Sequence, residues 1–234
     1  MLKIENGKCI DRIGVFLSML VLFIWFFDDA VFAKGYGPVV ANVTGEGFTV
    51  SWISDVPRIG SVKIYQNNKL IGNYGDDRGK NYNYYTHHVT INKLNPMTAY
   101  SFSIANGNAV GGNKGKYYDA RTGPPLIRVG SVQPAGRVFL KDGRTIAEGA
   151  LVYITLGVDG KRSALLSTRV DRNGYWFLEI INARTEDNKN LFRISLAKGD
   201  IAVQVVSQEG TAMFKGRIMD NKGGKNLYSS MTLK

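Results

Sequence analysis

Apolar and polar residues alternate along most of this chain with a period of two, the pattern of strands buried on one face. Phe48, Val50 and Trp52 alternate with Thr49 and Ser51, which gives an apolar inner face and a hydroxylated outer one. The same alternation picks out Val62 with Ile64, Val89 with Ile91, and Tyr100 with Phe102 and Ile104. Between 36 and 122 it predicts seven short strands: Val39–Val43, Phe48–Trp52, one around Val62 and Ile64, a short edge at Lys69–Asn73, Thr86–Leu94, Tyr100–Ala105 and Tyr117–Arg121. Turn sequences such as Gly45-Glu46-Gly47 and Gly111-Gly112-Asn113 separate them. Thr122-Gly123-Pro124-Pro125 is a short, stiff break, after which strand-like runs continue to Leu233. Long amphipathic helices are hard to find. The prediction is an all-β protein with two tandem antiparallel β-sandwich domains, at 36–122 and 126–234.

The first residues follow another pattern. Lys3, Lys8 and Arg12 precede a 15-residue apolar run from Ile13 to Phe27, and Val31-Phe32-Ala33 places small or medium residues at a cleavage position. This layout predicts a signal peptide spanning 1–33. The alternative is a membrane anchor, but the run is shorter than the roughly 20 residues a spanning helix needs. No membrane span is expected in the mature chain. Cys9, the single cysteine, precedes the run and leaves with the signal. Export without disulfides points to a bacterial or archaeal protein of the cell envelope or extracellular space.

Composition changes the picture in one respect. With 44% apolar and 21% charged residues in 234 positions, the chain is globular and each half can bury a core. Loss of 1–33 removes Lys3, Lys8 and Arg12 with Glu5, Asp11, Asp28 and Asp29, so the net charge moves from +11 to +12. Such a surface favours anionic neighbours.

Leu94-x-Pro96-x-Thr98-x-Tyr100, set between two strands, resembles the tyrosine corner of fibronectin type III domains, and Trp52 stands on the second strand, where those domains keep theirs. The segment is also similar to the N-terminal domain of purple acid phosphatases, on FTVSWISDVPRIGSVKIY and YYTHHVTINKLNPMTAYSFSI. That enzyme needs a second domain bearing metal-binding Asp, Asn and His, and no histidine follows His88, so the resemblance implies fold and not catalysis. The second half resembles a carboxypeptidase regulatory-like, transthyretin-like sandwich, carried by Gly136, Val138, Asp142-Gly143, Ala150, Val152, Thr168, Gly174, Tyr175 and Phe177, and by Lys198-Gly199-Asp200 with Ile201, Val203 and Val205.

Candidate chemistry is sparse. His87 and His88 are the only histidines, and strand parity turns His87 inward and His88 outward, so they cannot share a metal. Asp171-Arg172-Asn173-Gly174 reads as a hairpin turn and not a calcium loop. An internal Lys141–Asn226 isopeptide bond, with Glu179 as the neighbouring carboxylate, would reveal itself as the loss of one ammonia in the intact mass. There is no G-x-S-x-G elbow, usable histidine pair or metal cluster, so no catalytic, metal or cofactor residues are expected. The positive charge is spread along the chain, which argues against nucleic acid. The ligand-binding candidate is the loop at 74–85, with Arg78, Lys80, Tyr82 and Tyr84, joined by Lys114, Lys116 and Tyr117. Its aromatic faces and cations suit an acidic polysaccharide. Packing is the competing role, and Tyr85 shares parity with the core. The function expected is a non-catalytic spacer and adhesion module whose partners are envelope or extracellular proteins, with carbohydrate binding through the Tyr-rich loop as the alternative.

Overall fold

β-Branched and aromatic residues at alternate positions build the strands, and Gly, Asn and Asp at positive φ turn them. The computed structural model describes residues 37–79, 81–106, 109–110, 117–218 and 228–234; the expected signal segment lies outside them. The first half contains β1 (Val39–Ala41), β2 (Phe48–Arg58), β3 (Gly60–Gln66), β4 (Lys69–Gly75), β5 (Tyr84–Ile91), β6 (Ala99–Asn106), β7 (Ala109–Val110) and β8 (Tyr118–Arg121). The second contains β9 (Ala135–Phe139), β10 (Leu151–Val158), β11 (Lys161–Arg162), β12 (Leu166–Arg169), β13 (Tyr175–Phe177), β14 (Asp200–Ser207), β15 (Gly210–Arg217) and β16 (Met231–Thr232).

In the first half, the sheet β1-β2-β5 faces the sheet β4-β3-β6, whose last strand also pairs with β7 and β8. Phe48, Val50, Trp52, Val89 and Ile91 from one sheet meet Val62, Ile64, Phe102 and Ile104 from the other in one buried core. Each such side chain contributes about 1.5–3 kcal/mol by leaving water. Leu94 is buried, Pro96 is exposed at the corner, and the Asn95 N–H donates to the Tyr100 hydroxyl at 2.9 Å, which ties the crossover to its own backbone. β2 runs on to Arg58, well past the expected end at Trp52. Ser54 donates to the Tyr85 carbonyl at 3.0 Å, and after a bulge Arg58 pairs with Tyr84. Tyr85 is exposed in spite of its parity, because it lies at the strand end beyond the core.

In the second half, β10 pairs with β14 on one edge and with β11 and β12 on the other, and β15 extends the sheet beyond β14. A three-stranded sheet, β13-β9-β16, closes the other side, with β16 parallel to β9. Val152, Ile154, Leu156, Ile201, Val203 and Val205 share a second core with Val138, Trp176 and Met231. Asp171 accepts the N–H groups of Asn173 and Tyr175 at 2.8 Å each, the geometry of a hairpin turn.

The chain from Tyr36 to Lys234 forms a single compact unit that contains both cores. Two features join the halves. The 122–126 segment is pinned on both sides: Thr122 donates to the Asn95 carbonyl at 2.6 Å, and Arg184 donates to the Pro124 carbonyl at 2.7 Å. The outer faces of β1-β2-β5 and of β10 and β12 also meet. Ala41, Thr49, Ser51, Ile53, Thr86 and His88 point away from the first core and are nevertheless buried. β10 is buried on both faces, with Leu151 and Tyr153 turned away from its own core.

Candidate functional site

The polar seam between the halves is where the unusual side-chain chemistry collects. At its edge, Asn42 adopts φ 51°, a conformation that Asn tolerates better than most residues. Its amide then bridges the halves as a strand would. Asn42 Nδ2 donates to the Ser167 carbonyl at 2.8 Å and to Thr49 Oγ1 at 3.0 Å, while Ser167 N–H donates to Asn42 Oδ1 at 2.8 Å and Asn42 N–H donates to the Leu165 carbonyl at 3.0 Å. Further in, Ser51 Oγ and the Tyr153 hydroxyl share a hydrogen bond of 2.8 Å, and Thr86 Oγ1 donates to the Gly149 carbonyl at 2.7 Å. Burial pushes the Tyr153 phenol up to about 12, opposed by the Ser51 hydrogen bond.

Two His–Asp pairs flank this seam. Asp76 and Asp77 follow β4, and backbone bonding of Asp77 N–H to the His88 carbonyl at 2.9 Å sets them beside His87 and His88 on β5. Neighbouring positions on a strand face opposite ways, so one pair serves the first core and the other serves the seam. His87 is stacked on Trp52 with ring centroids 4.6 Å apart, and its Nδ1 faces Asp76 Oδ2 at 3.6 Å. Ser54 Oγ donates to the Tyr85 carbonyl and lies 3.2 Å from His87 Nε2. His88 Nδ1 donates to Asp77 Oδ2 at 2.8 Å, and its Nε2 meets Ser167 Oγ at 3.1 Å. His88 is therefore outward-facing with respect to its own sandwich, as parity predicts, but the second sandwich covers it.

Asp76 is the buried anchor. It accepts Arg78 Nε at 2.9 Å, Arg78 Nη2 at 3.1 Å, Arg78 N–H at 3.0 Å and His88 N–H at 3.1 Å. Burial alone would raise its carboxyl, but the hydrogen bonds from His87 and Arg78 and the charge of Arg78 outweigh it and hold the group well below the usual carboxylate range. Arg78 also donates to the Thr86 carbonyl and lies 3.5 Å over the Tyr84 ring. It is wedged against the second half, since a Cβ on Gly149 would stand 2.7 Å from Arg78 Nη1.

Hydroxyl, imidazole and carboxylate thus occur in the same order twice, as Ser54–His87–Asp76 and Ser167–His88–Asp77. That order activates a serine in hydrolases when a substrate can approach it. Here Ser54 is 6% and Ser167 1% exposed, and each hydroxyl is already engaged with other groups. The arrangement locks backbone and side chains together across the seam. A cleft of about 740 Å³ elsewhere, between the β10–β11 hairpin and residues 185–193, is spanned by Arg162 and Glu186 at 3.5 Å and contains none of these groups.

The loop candidates divide. Arg78 is turned inward and held by Asp76, and Tyr84 lies beneath it. Tyr82 is 65% exposed, its ring 6.4 Å from that of Tyr84. Tyr117 is exposed but packs edge-on against Tyr65 at 5.1 Å, near the other end of β3 from the Arg58–Tyr84 pair, roughly 16 Å along the strand. Lys80, Lys114 and Lys116 lie outside the described residues, as does Asn226 of the isopeptide candidate. Glu179, its expected carboxylate, instead caps the backbone, accepting N–H groups from Val132 and Ile181 at 2.8 Å each. Among the described residues no three His, Cys, Asp or Glu gather as metal ligands, and no helix is long and apolar enough to cross a membrane.

No protein-family profile and no curated protein matches the chain. Among solved structures it is similar to one titled "Structure of PhoD", at 10% identity and a TM-score of 0.29, over 49% of this chain and 23% of that one. It is similar at the same identity and TM-score to the FN1–FN3 domains of chicken CNTN1, over 77% of this chain and 64% of that one. The chain spans about a quarter and just under two thirds of these two structures. The strand pairing within the chain itself establishes the class, an all-β fold of mainly antiparallel sheets.

Proposed function

We propose that the chain is a non-catalytic module of the cell envelope or extracellular space, exported by its N-terminal signal, which holds partner proteins at a set spacing. In this reading the first sandwich is of the fibronectin type III kind and the second of the carboxypeptidase regulatory-like kind. The carrying observation is the seam. Asn42, Ser51, Thr86 and His88 each bond across it, so the two halves move together and not as beads on a linker. Exposed Ile127 and Val129 beside the junction offer apolar surface to a partner.

A spacer must keep its length. Met97 in the first half and Met213 in the second are exposed, and Tyr36–Lys234 contains no cysteine, so cysteines introduced at both positions can carry nitroxide labels specifically. Double electron–electron resonance is expected to give one narrow distance distribution. A broad or multi-peaked distribution would refute the rigid-spacer reading.

A further inference from the structure

The outer face of β13-β9-β16 gathers aromatic rings around one arginine. Gly136, Val138 and Trp176 point into the second core, so Ala135, Arg137, Phe139, Tyr175 and Phe177 share the opposite side. Register places Tyr175 opposite Arg137, Phe177 opposite Ala135 and Thr232 opposite Phe139. With alanine as its neighbour, Phe177 is left 59% exposed, and Tyr175 is 37% exposed. Arg137 lies between two rings, its Cζ 4.8 Å from the Phe139 centroid and 5.1 Å from that of Tyr175. Its Nε is buried without a hydrogen-bond partner, and among the described residues no carboxylate lies within ion-pair distance of it.

Aromatic rings flanking an uncompensated guanidinium define a ligand chemistry. The negative faces of the rings attract the C–H groups on one face of a sugar ring, and the planar guanidinium pairs with a carboxylate. The face is about 13 Å long and about 10 Å wide from strand geometry. That is far below the roughly 800 Å² per partner of a stable protein interface, so its size suits two or three linked rings. Single-stranded nucleic acid fits less well, because it needs cations following successive phosphates and this face presents one. We infer that the outer face of β9 and β13 binds an acidic polysaccharide, with Phe177 and Tyr175 stacking on sugar rings and Arg137 pairing with a uronate carboxylate. This site is distinct from the Tyr82–Tyr84 loop and does not depend on the spacer reading.

The test is a nuclear magnetic resonance titration of Tyr36–Lys234 with tetragalacturonate, cellotetraose and octathymidylate. Tetragalacturonate is expected to shift amides of β9 and β13 and to bind about tenfold more tightly than cellotetraose, the gain of one charge-assisted pair. Phe177→Ala and Tyr175→Ala should each weaken both sugars about fivefold or more, whereas Arg137→Gln should abolish only the preference for the acidic one. Arg137→Lys should restore part of that preference, and Tyr82→Ala should change nothing. Since Phe177 is exposed, its variant should keep the wild-type melting temperature, which separates lost binding from lost fold. Absence of binding, shifts confined to the Tyr82 loop, or tighter binding of octathymidylate than of tetragalacturonate would each overturn the inference.

Discussion

Asp76→Ala is expected to cost about 3–5 kcal/mol of unfolding free energy, because it leaves the charge of Arg78 buried without its partner. Four donors converge on this carboxylate, three from Arg78 and one from the His88 backbone, and a fifth group, His87, faces it. That carboxylate also fixes Arg78 between Tyr84 and Gly149 at the edge of the seam. Urea denaturation at neutral pH gives the size of the loss. The pH dependence gives its origin. The folded carboxyl titrates below its unfolded value of about 3.9, so its stabilisation is fully present above about pH 4 and is lost as pH falls towards the folded pKa. The wild type should weaken through that acid window, and the component due to Asp76 should be missing from the variant. Equal acid sensitivity in both proteins would show that the anchor lies elsewhere.

Asn42→Ala is expected to cost about 2–4 kcal/mol, since it strips partners from the Ser167 N–H and carbonyl groups inside the seam. The substitution also places a Cβ with no polar compensation at a left-handed φ of 51°. Asn42→Gly separates the two contributions, because glycine accepts that backbone conformation without strain yet forms none of the bonds. Most of the loss should persist in Asn42→Gly. A double variant with Ser167→Ala should lose less than the sum of the single losses, because the Asn42 amide also donates to Ser167 Oγ at 3.2 Å.

Much of the scaffold was legible because a period-two pattern has one physical cause. Phe48, Val50 and Trp52 must be buried, and their spacing allows only a strand to bury them together. The corner at Leu94–Tyr100 was legible for a similar reason: local spacing brings the phenol to the Asn95 N–H. The seam was not, because Thr49, Ser51 and His88 have the polarity of a solvent-facing strand. Only another sheet carrying matching polar groups turns such a face into an interior, and nothing local announces that Tyr153 or Ser167 will arrive there. Arg78 presents the reverse case. In a loop rich in tyrosine, with Lys80 close by, it reads as a ligand-binding cation, but Asp76, two residues before it, holds its guanidinium. The Asp76–His87 and Asp77–His88 pairs needed the register of the β4–β5 connection, which adjacent acidic and adjacent imidazole residues do not supply by themselves.

Hydrogen bonding across the polar faces makes one body of the two sandwiches. Amide hydrogen exchange of Tyr36–Lys234 tests it most directly, read at Asn42 and Ser167, whose N–H groups donate across the seam. Both amides should exchange as slowly as Val50 and Ile154 in the two cores, and Asp76→Ala should accelerate them more than it accelerates Ile154. Fast exchange at Asn42 and Ser167 in the wild type, with both cores still protected, would mean that the sandwiches separate freely and that the seam does not hold them together.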